Sequence, residues 1–209
     1  VAEWLRGFNA AILAYGQTGS GKTHTMLGAG FGEGTAAATT EKAWDPNGSV
    51  AGLMPRVVQS LFRGLVDDDK NSREGALIEL SMLEIYNENI RDLLGDRGAG
   101  AADHLVNHTG AKFSRNRSRG GAAATNHHPS LRLRETPDRG VWVEGLARQP
   151  CATDSDVLAL IEAGSAARST AQTKMNAMSS RSHVVVTVNV TQKKIDGTTV
   201  KAKLHLVDL

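Results

Sequence analysis

The sequence predicts an α/β domain of three layers, with a central mixed, mostly parallel sheet and helices on both faces. Three observations carry that expectation. Strand-like apolar segments alternate with helical ones along the 209 residues, the order that builds a largely buried sheet. One such strand runs into a glycine-rich turn that opens directly into a helix. Finally, "HVVVTVNV" sets Val184, Val186, Val188 and Val190 on one face against Thr187 and Asn189 on the other, the period of a strand with one buried face.

Taken in order, the chain opens with "VAEWLRGFN", the tail of a helix, and continues into "AAILAYG", a short apolar strand ending in glycine. Lys22 starts a short helix, which the small residues of "GAGFGEGTAAATT" interrupt. A second helix is expected over "GLMPRVVQSLFRGLV", where Val57, Leu61 and Leu65 recur on one face and Pro55 stands near the first turn. "ALIELSMLEIY" alternates Ile78, Leu80 and Met82 against Glu79 and Ser81 and is read as a strand. The next stretch, "LEIYNENIRDLL", is expected to serve strand and helix packing.

"LRLRE" and "VWVEG" predict a hairpin. A helix follows from about Ser155, capped by Thr153 or Ser155, with Val157, Leu158 and Ile161 on one face and Gly164 as its stop. The last strand, "KAKLHLVDL", keeps Asp208 in step with Leu204 and Leu206. Residues 29–51 and 95–130 read as loop insertions. The second is rich in Gly, Ala, Ser and Arg, has no sustained period and is expected to be disordered. The chain has no initiator methionine, and both ends read as cut through secondary structure, so an internal piece of an incomplete domain over 1–209 is expected.

Composition narrows function by exclusion. With 40% apolar and 22% charged residues and a formal net charge of +2, nothing drives the whole chain toward nucleic acid or a membrane. No apolar run approaches the ~20 residues that span a bilayer, and Glu3 and Arg6 break any secretion-signal pattern. The single cysteine, Cys151, excludes an internal disulfide and a CxxC metal site and fits a reducing compartment.

The chemistry concentrates in "GQTGSGKT". Gly16, Gln17, Thr18, Gly19, Ser20, Gly21, Lys22 and Thr23 fit G-x-x-x-x-G-K-[ST], placed between an apolar strand and a helix as the motif requires. The glycines let successive N–H groups turn inward as a nest for phosphate oxygens. Lys22 reaches the β- and γ-phosphates, and Thr23 reaches Mg²⁺. The positive end of the following helix faces the same charge. The fold class is accordingly a P-loop NTPase. Asp208, ending the apolar run "LHLVD", stands where such proteins hold a water bound to Mg²⁺. "NAMSSRSH", Asn176 to His183, packs an amide, serines, an arginine and a histidine together. Alone it reads as a polar loop bonded to its own backbone; beside a P-loop it reads as a γ-phosphate switch.

Together, "FNAAILAYGQTGSGKTHTM", "GLMPRVVQSLF", "SMLEIYNENIRDLL", "MNAMSSRSH" and "KLHLVDL" occur in the order and spacing of a kinesin motor domain, which the chain resembles over nearly its whole length. The resemblance implies an ATP-dependent microtubule motor with ATP and Mg²⁺ as cofactors. It implies that Gly16 to His24 contact nucleotide and that Thr23, Ser180 and Asp208 lie on the metal side. Asn176, Ser179, Ser180 and Arg181 then form the catalytic first switch, with Arg181 pairing a glutamate of the second. Only Asp208 and Leu209 of the second switch, D-L-A-G-S-E in the family, are present. The family's adenine-embracing Arg-x-Arg-Pro segment, main tubulin-binding helix and neck are not, so low ATP turnover is expected of these residues alone.

The implied partner is the microtubule (tubulin), with no membrane insertion, no nucleic acid, and homodimerisation left to regions outside these residues. The implied location is the cytoplasm, on the microtubule cytoskeleton. Two other readings stay open on the residues alone. One is a kinesin-like protein that grips microtubules without productive motion. The other is a different P-loop enzyme, such as a GTPase or small-molecule kinase, although no N-K-x-D guanine-reading motif occurs.

Overall fold

A computed structural model describes residues 2–29, 51–67, 76–95, 131–137, 140–174, 182–194 and 196–209. The expected insertions, 29–51 and 95–130, lie outside the described residues apart from positions 29, 51 and 95. So does the 175–181 segment with Asn176, Ser179, Ser180 and Arg181.

Four helices are described: α1 (Ala2–Leu5), α2 (Lys22–Leu27), α3 (Leu53–Asp67) and α4 (Asp154–Lys174). The main sheet holds β1 (Ala10–Ala14), β2 (Ala76–Tyr86), β3 (Asn89–Asp92), β6 (Gln149–Cys151), β7 (Ser182–Lys193) and β8 (Thr199–Asp208). Its order is β1-β8-β7-β2-β3, with β6 also pairing β2. A separate hairpin, β4 (Arg132–Thr136) with β5 (Gly140–Glu144), forms where "LRLRE" and "VWVEG" predict it.

The sheet is mixed, as expected, but the parallel majority is not found. Among the described residues only β1 and β8 run parallel, while β8–β7, β7–β2, β2–β3 and β2–β6 are antiparallel. For two of these pairs, β7–β8 and β2–β3, the reason is local. β7 returns as β8 through a short turn in which Lys194 N–H bonds Thr198 O at 2.8 Å. β2 returns as β3 through Asn87 and Glu88, both at positive φ (48° and 63°), the backbone of a tight hairpin turn. Neither connection has the length of a parallel crossover.

Period two decides which face of the sheet is buried. Ile78, Leu80 and Met82 stand opposite Val190, Val188 and Val186, which meet Ala202, Leu204 and Leu206 in turn. All nine are buried and join Met54, Val58, Leu61 and Leu65 of α3 and Val157, Leu158 and Ile161 of α4 in one core. The described helices therefore cover one face only. The expected helices on both faces are not found among the described residues, and Leu13, Leu77 and Ile85 on the other face are exposed.

Helix α4 decides between the two expected caps and corrects one expectation. Its cap is Thr153, not Ser155: Asp156 N–H bonds Thr153 Oγ1 at 3.1 Å, and the Asp156 carboxylate accepts the Thr153 N–H at 2.8 Å, a reciprocal capping box. Gly164 does not stop the helix, which runs on to Lys174. A Cβ there would collide with Met82 Sδ, so glycine is present because helix and sheet approach closely.

Candidate functional site

The site forms where several strands end at one rim of the sheet. Parallel pairing places Ala14, the end of β1, beside Asp208, the end of β8. Antiparallel pairing then brings Val184 beside Asp208 and Ser182 beside Tyr86. The loop after β1, the start of β7 and the tip of β2 thus share one end of the sheet, and ligands bind characteristically in such crevices outside strand carboxyl ends.

The glycine-rich loop turns from β1 into α2. Gly19 and Gly21 stand at φ 81° and 87°, the left-handed region that side chains rarely adopt. At Gly16 a Cβ would come within 2.6 Å of Ser20 Oγ. Lys22 Nζ donates to the carbonyls of Gly16 at 2.8 Å and Gln17 at 3.0 Å, so the ammonium is held by the loop's own backbone. Gln17, Thr18, Gly19, Ser20, Gly21 and His24 are solvent-accessible.

From α2 the Thr23 hydroxyl donates to Asp208 Oδ2 at 2.7 Å, joining residues 185 positions apart. Asp208 is buried on the helix-covered face, and its second oxygen, Oδ1, has no hydrogen-bond partner. A buried carboxylate oxygen without a partner is costly, and here it stands beside a hydroxyl. Mg²⁺ takes oxygen ligands and engages only one or two protein groups when phosphates supply the rest. Thr23 and Asp208 fit that donor set. Among the described residues no cluster of His, Cys, Asp or Glu suits a metal held by protein alone.

Behind Asp208 lies a charged chain. Arg168, on α4, approaches Asp208 Oδ2 with Nη1 at 3.8 Å and Glu84 Oε1 with Nε at 3.4 Å. Its Nη2 donates to Ser182 Oγ at 2.8 Å and Ser182 O at 3.1 Å. Glu84, on β2, also faces Arg91 of β3 at 3.8 Å. A cavity of about 300 Å³ lined by Ile85, Tyr86, Asn87, Glu88 and His183 opens at the β2–β3 tip rather than at the loop.

Comparison with known proteins gives this arrangement a family. The family model of the kinesin motor domain matches residues 1–209. The chain belongs to the kinesin motor domain family. Kinesin-related protein 5 of Dictyostelium discoideum is 35% identical over 209 residues, covering 100% of this chain and 17% of that protein. Kinesin-like protein KIF28 of Mus musculus is 37% identical over 205 residues, 98% of this chain and 15% of the relative. Chromosome-associated kinesin KIF4 of Mus musculus is 36% identical over 207 residues, with 98% and 14% covered. A solved structure of a fast kinesin superposes with a TM-score of 0.70 at 30% identity, covering 100% of this chain and 46% of the other. The chain therefore spans a minor part of the kinesins it matches.

Of the residues expected at a kinesin nucleotide site, Gly16 to His24 lie together on the loop and the start of α2, and Thr23 meets Asp208 directly. Asn176, Ser179, Ser180 and Arg181 fall outside the described residues; Ser182, in the same motif, is held by Arg168. Glu84 and Arg168 escaped the sequence reading. Both carried a signal: Glu84 continues the buried alternation of Leu80 and Met82, and Arg168 continues the helical stripe of Val157, Ile161 and Gly164. A charge on a buried stripe is rare unless paired.

Proposed function

We propose that this chain is the nucleotide-hydrolysing part of an ATP-dependent microtubule motor, acting in the cytoplasm on the microtubule cytoskeleton. The observation that carries the reading is the Thr23–Asp208 hydrogen bond of 2.7 Å, beside a buried, unpartnered Asp208 Oδ1. It draws together the two halves of a P-loop site, which membership of the kinesin motor domain family supports.

The backbone N–H groups of Gly16 to Thr23 cradle the phosphates of ATP, with His24 next to them. Lys22 exchanges the Gly16 and Gln17 carbonyls for the β- and γ-phosphate oxygens, a charge-assisted contact stronger than a neutral one. Thr23, Ser180 and Asp208 hold Mg²⁺, which neutralises phosphate charge when bound. Because the Thr23 hydroxyl donates to Asp208, its lone pairs remain available to a cation. Asn176, Ser179, Ser180 and Arg181 sense the γ-phosphate. Its loss releases their contacts and alters the grip on tubulin. No covalent intermediate is required, since phosphoryl transfer to water depends on positioning and charge stabilisation.

The test uses the longest natural polypeptide carrying these residues. Its ATP turnover is expected to rise on adding microtubules, and Lys22→Ala is expected to weaken nucleotide affinity roughly 10- to 100-fold. Turnover indifferent to microtubules sinks the motor reading. Wild-type nucleotide affinity in K22A sinks the site.

A further inference from the structure

We propose that Glu84 is a positioning residue for Mg²⁺, acting through Arg168 on Asp208. The inference rests on the nucleotide-site reading above and extends it to a residue outside the loop, the switch motif and the strand-end carboxylate.

Glu84 and Asp208 are both buried, with 4% and 6% of their surface exposed, and Arg168 stands between them. Its guanidinium reaches Glu84 at 3.4 Å and Asp208 at 3.8 Å, while Arg168 Nε, though buried, makes no hydrogen bond. The guanidinium is thus shared electrostatically between two carboxylates, and among the described residues its hydrogen bonds run from Nη2 to Ser182. Arg91, half in solvent, adds a second positive group on the far side of Glu84 at 3.8 Å.

A buried guanidinium seeks a counter-charge. With the Glu84 carboxylate in place, Arg168 is balanced from β2, and Asp208 is left to face a cation. With glutamine at position 84, Asp208 is the one carboxylate left within 4.0 Å of Arg168 among the described residues. Arg168 then closes on Asp208 and competes for the oxygens a metal needs. Glu84 therefore sets metal affinity without touching metal or nucleotide, as outer-shell partners of metal ligands do.

The experiment titrates Mg²⁺ against the release rate of a fluorescent ADP, using the longest natural polypeptide carrying the chain. Glu84→Gln is expected to weaken the Kd for Mg²⁺ roughly 10-fold or more, while ADP affinity in excess chelator stays within about twofold of wild type. In an Asp208→Asn background, E84Q is expected to add no further loss, because the effect runs through Asp208. A purely structural Glu84 would lower ADP affinity equally with and without Mg²⁺; that outcome, or an unchanged Kd for Mg²⁺, overturns the proposal. If E84Q does not fold, Glu84→Asp, which keeps the carboxylate but draws it back from Arg168, must weaken the Kd for Mg²⁺ in the same direction. Wild-type Mg²⁺ affinity in E84D then overturns the proposal equally. Wild-type protein that binds no ADP at all removes the nucleotide-site reading, and this inference with it.

Discussion

At the scale of single residues, the described chain separates reactive groups from inert ones by burial. Cys151 is a buried free thiol, and burial, with the Asp156 carboxylate adding to it, pushes its pKa from 9.0 up to about 12. It remains protonated and unreactive. His205 stands between Leu204 and Leu206 on the sheet face away from the helices, with Nδ1 2.9 Å from Thr187 Oγ1. Burial, and then Lys203, lower its pKa below the ordinary 6.5. A base whose folded pKa is depressed takes up a proton on unfolding, so stability is complete above 6.5 and declines as pH falls below it. His205→Gln is therefore expected to lose less Tm than wild type between about pH 7 and about pH 5.5. Parallel Tm profiles of the two proteins would remove His205 from the acid response. The same scale shows what the sequence hid. Glu84 sits in phase with Leu80 and Met82, yet only the fold shows that Arg168, distant along the chain, approaches it at 3.4 Å.

At the scale of elements, local rules located most of the helices and strands, and tertiary contacts corrected their details. Thr153 and Asp156 have the spacing of a cap, and the structure uses them as one. Gly164 looked like a stop because glycine is a poor helix residue. It lies mid-helix because Met82 presses against α4 there, and no local signal carries that contact. Gly164→Leu is expected to destabilise the fold by about 1–3 kcal/mol through overpacking, read as a lower urea midpoint at unchanged m-value. An unaltered midpoint would mean that α4 and β2 are not in close contact. The β2–β3 hairpin was missed for a related reason: Asn87 suits a positive φ, but Glu88 beside it is an unusual occupant of the second turn position.

At the scale of the whole molecule, one face of the sheet carries the core and the other carries Leu13, Leu77 and Ile85 at 59%, 49% and 37% exposure. No described strand pairs the outer edge of β1. An open edge and exposed apolar side chains favour association between copies. The 209-residue polypeptide by itself is therefore expected to bind an apolar dye and to self-associate. Monomeric behaviour in sedimentation without dye binding would contradict this. The order and period of the sequence determined the family resemblance, the glycine-rich loop, the buried valine face and Asp208 as a strand-end carboxylate. These depend on residue type and short spacing, which the chain carries in itself. The tertiary structure alone decided that the described sheet is largely antiparallel, that its described helices lie on one face, and that Thr23 meets Asp208. It alone brought Glu84, Arg168 and Asp208 together, because strand order and register determine which distant residues become neighbours, and no local pattern encodes that choice.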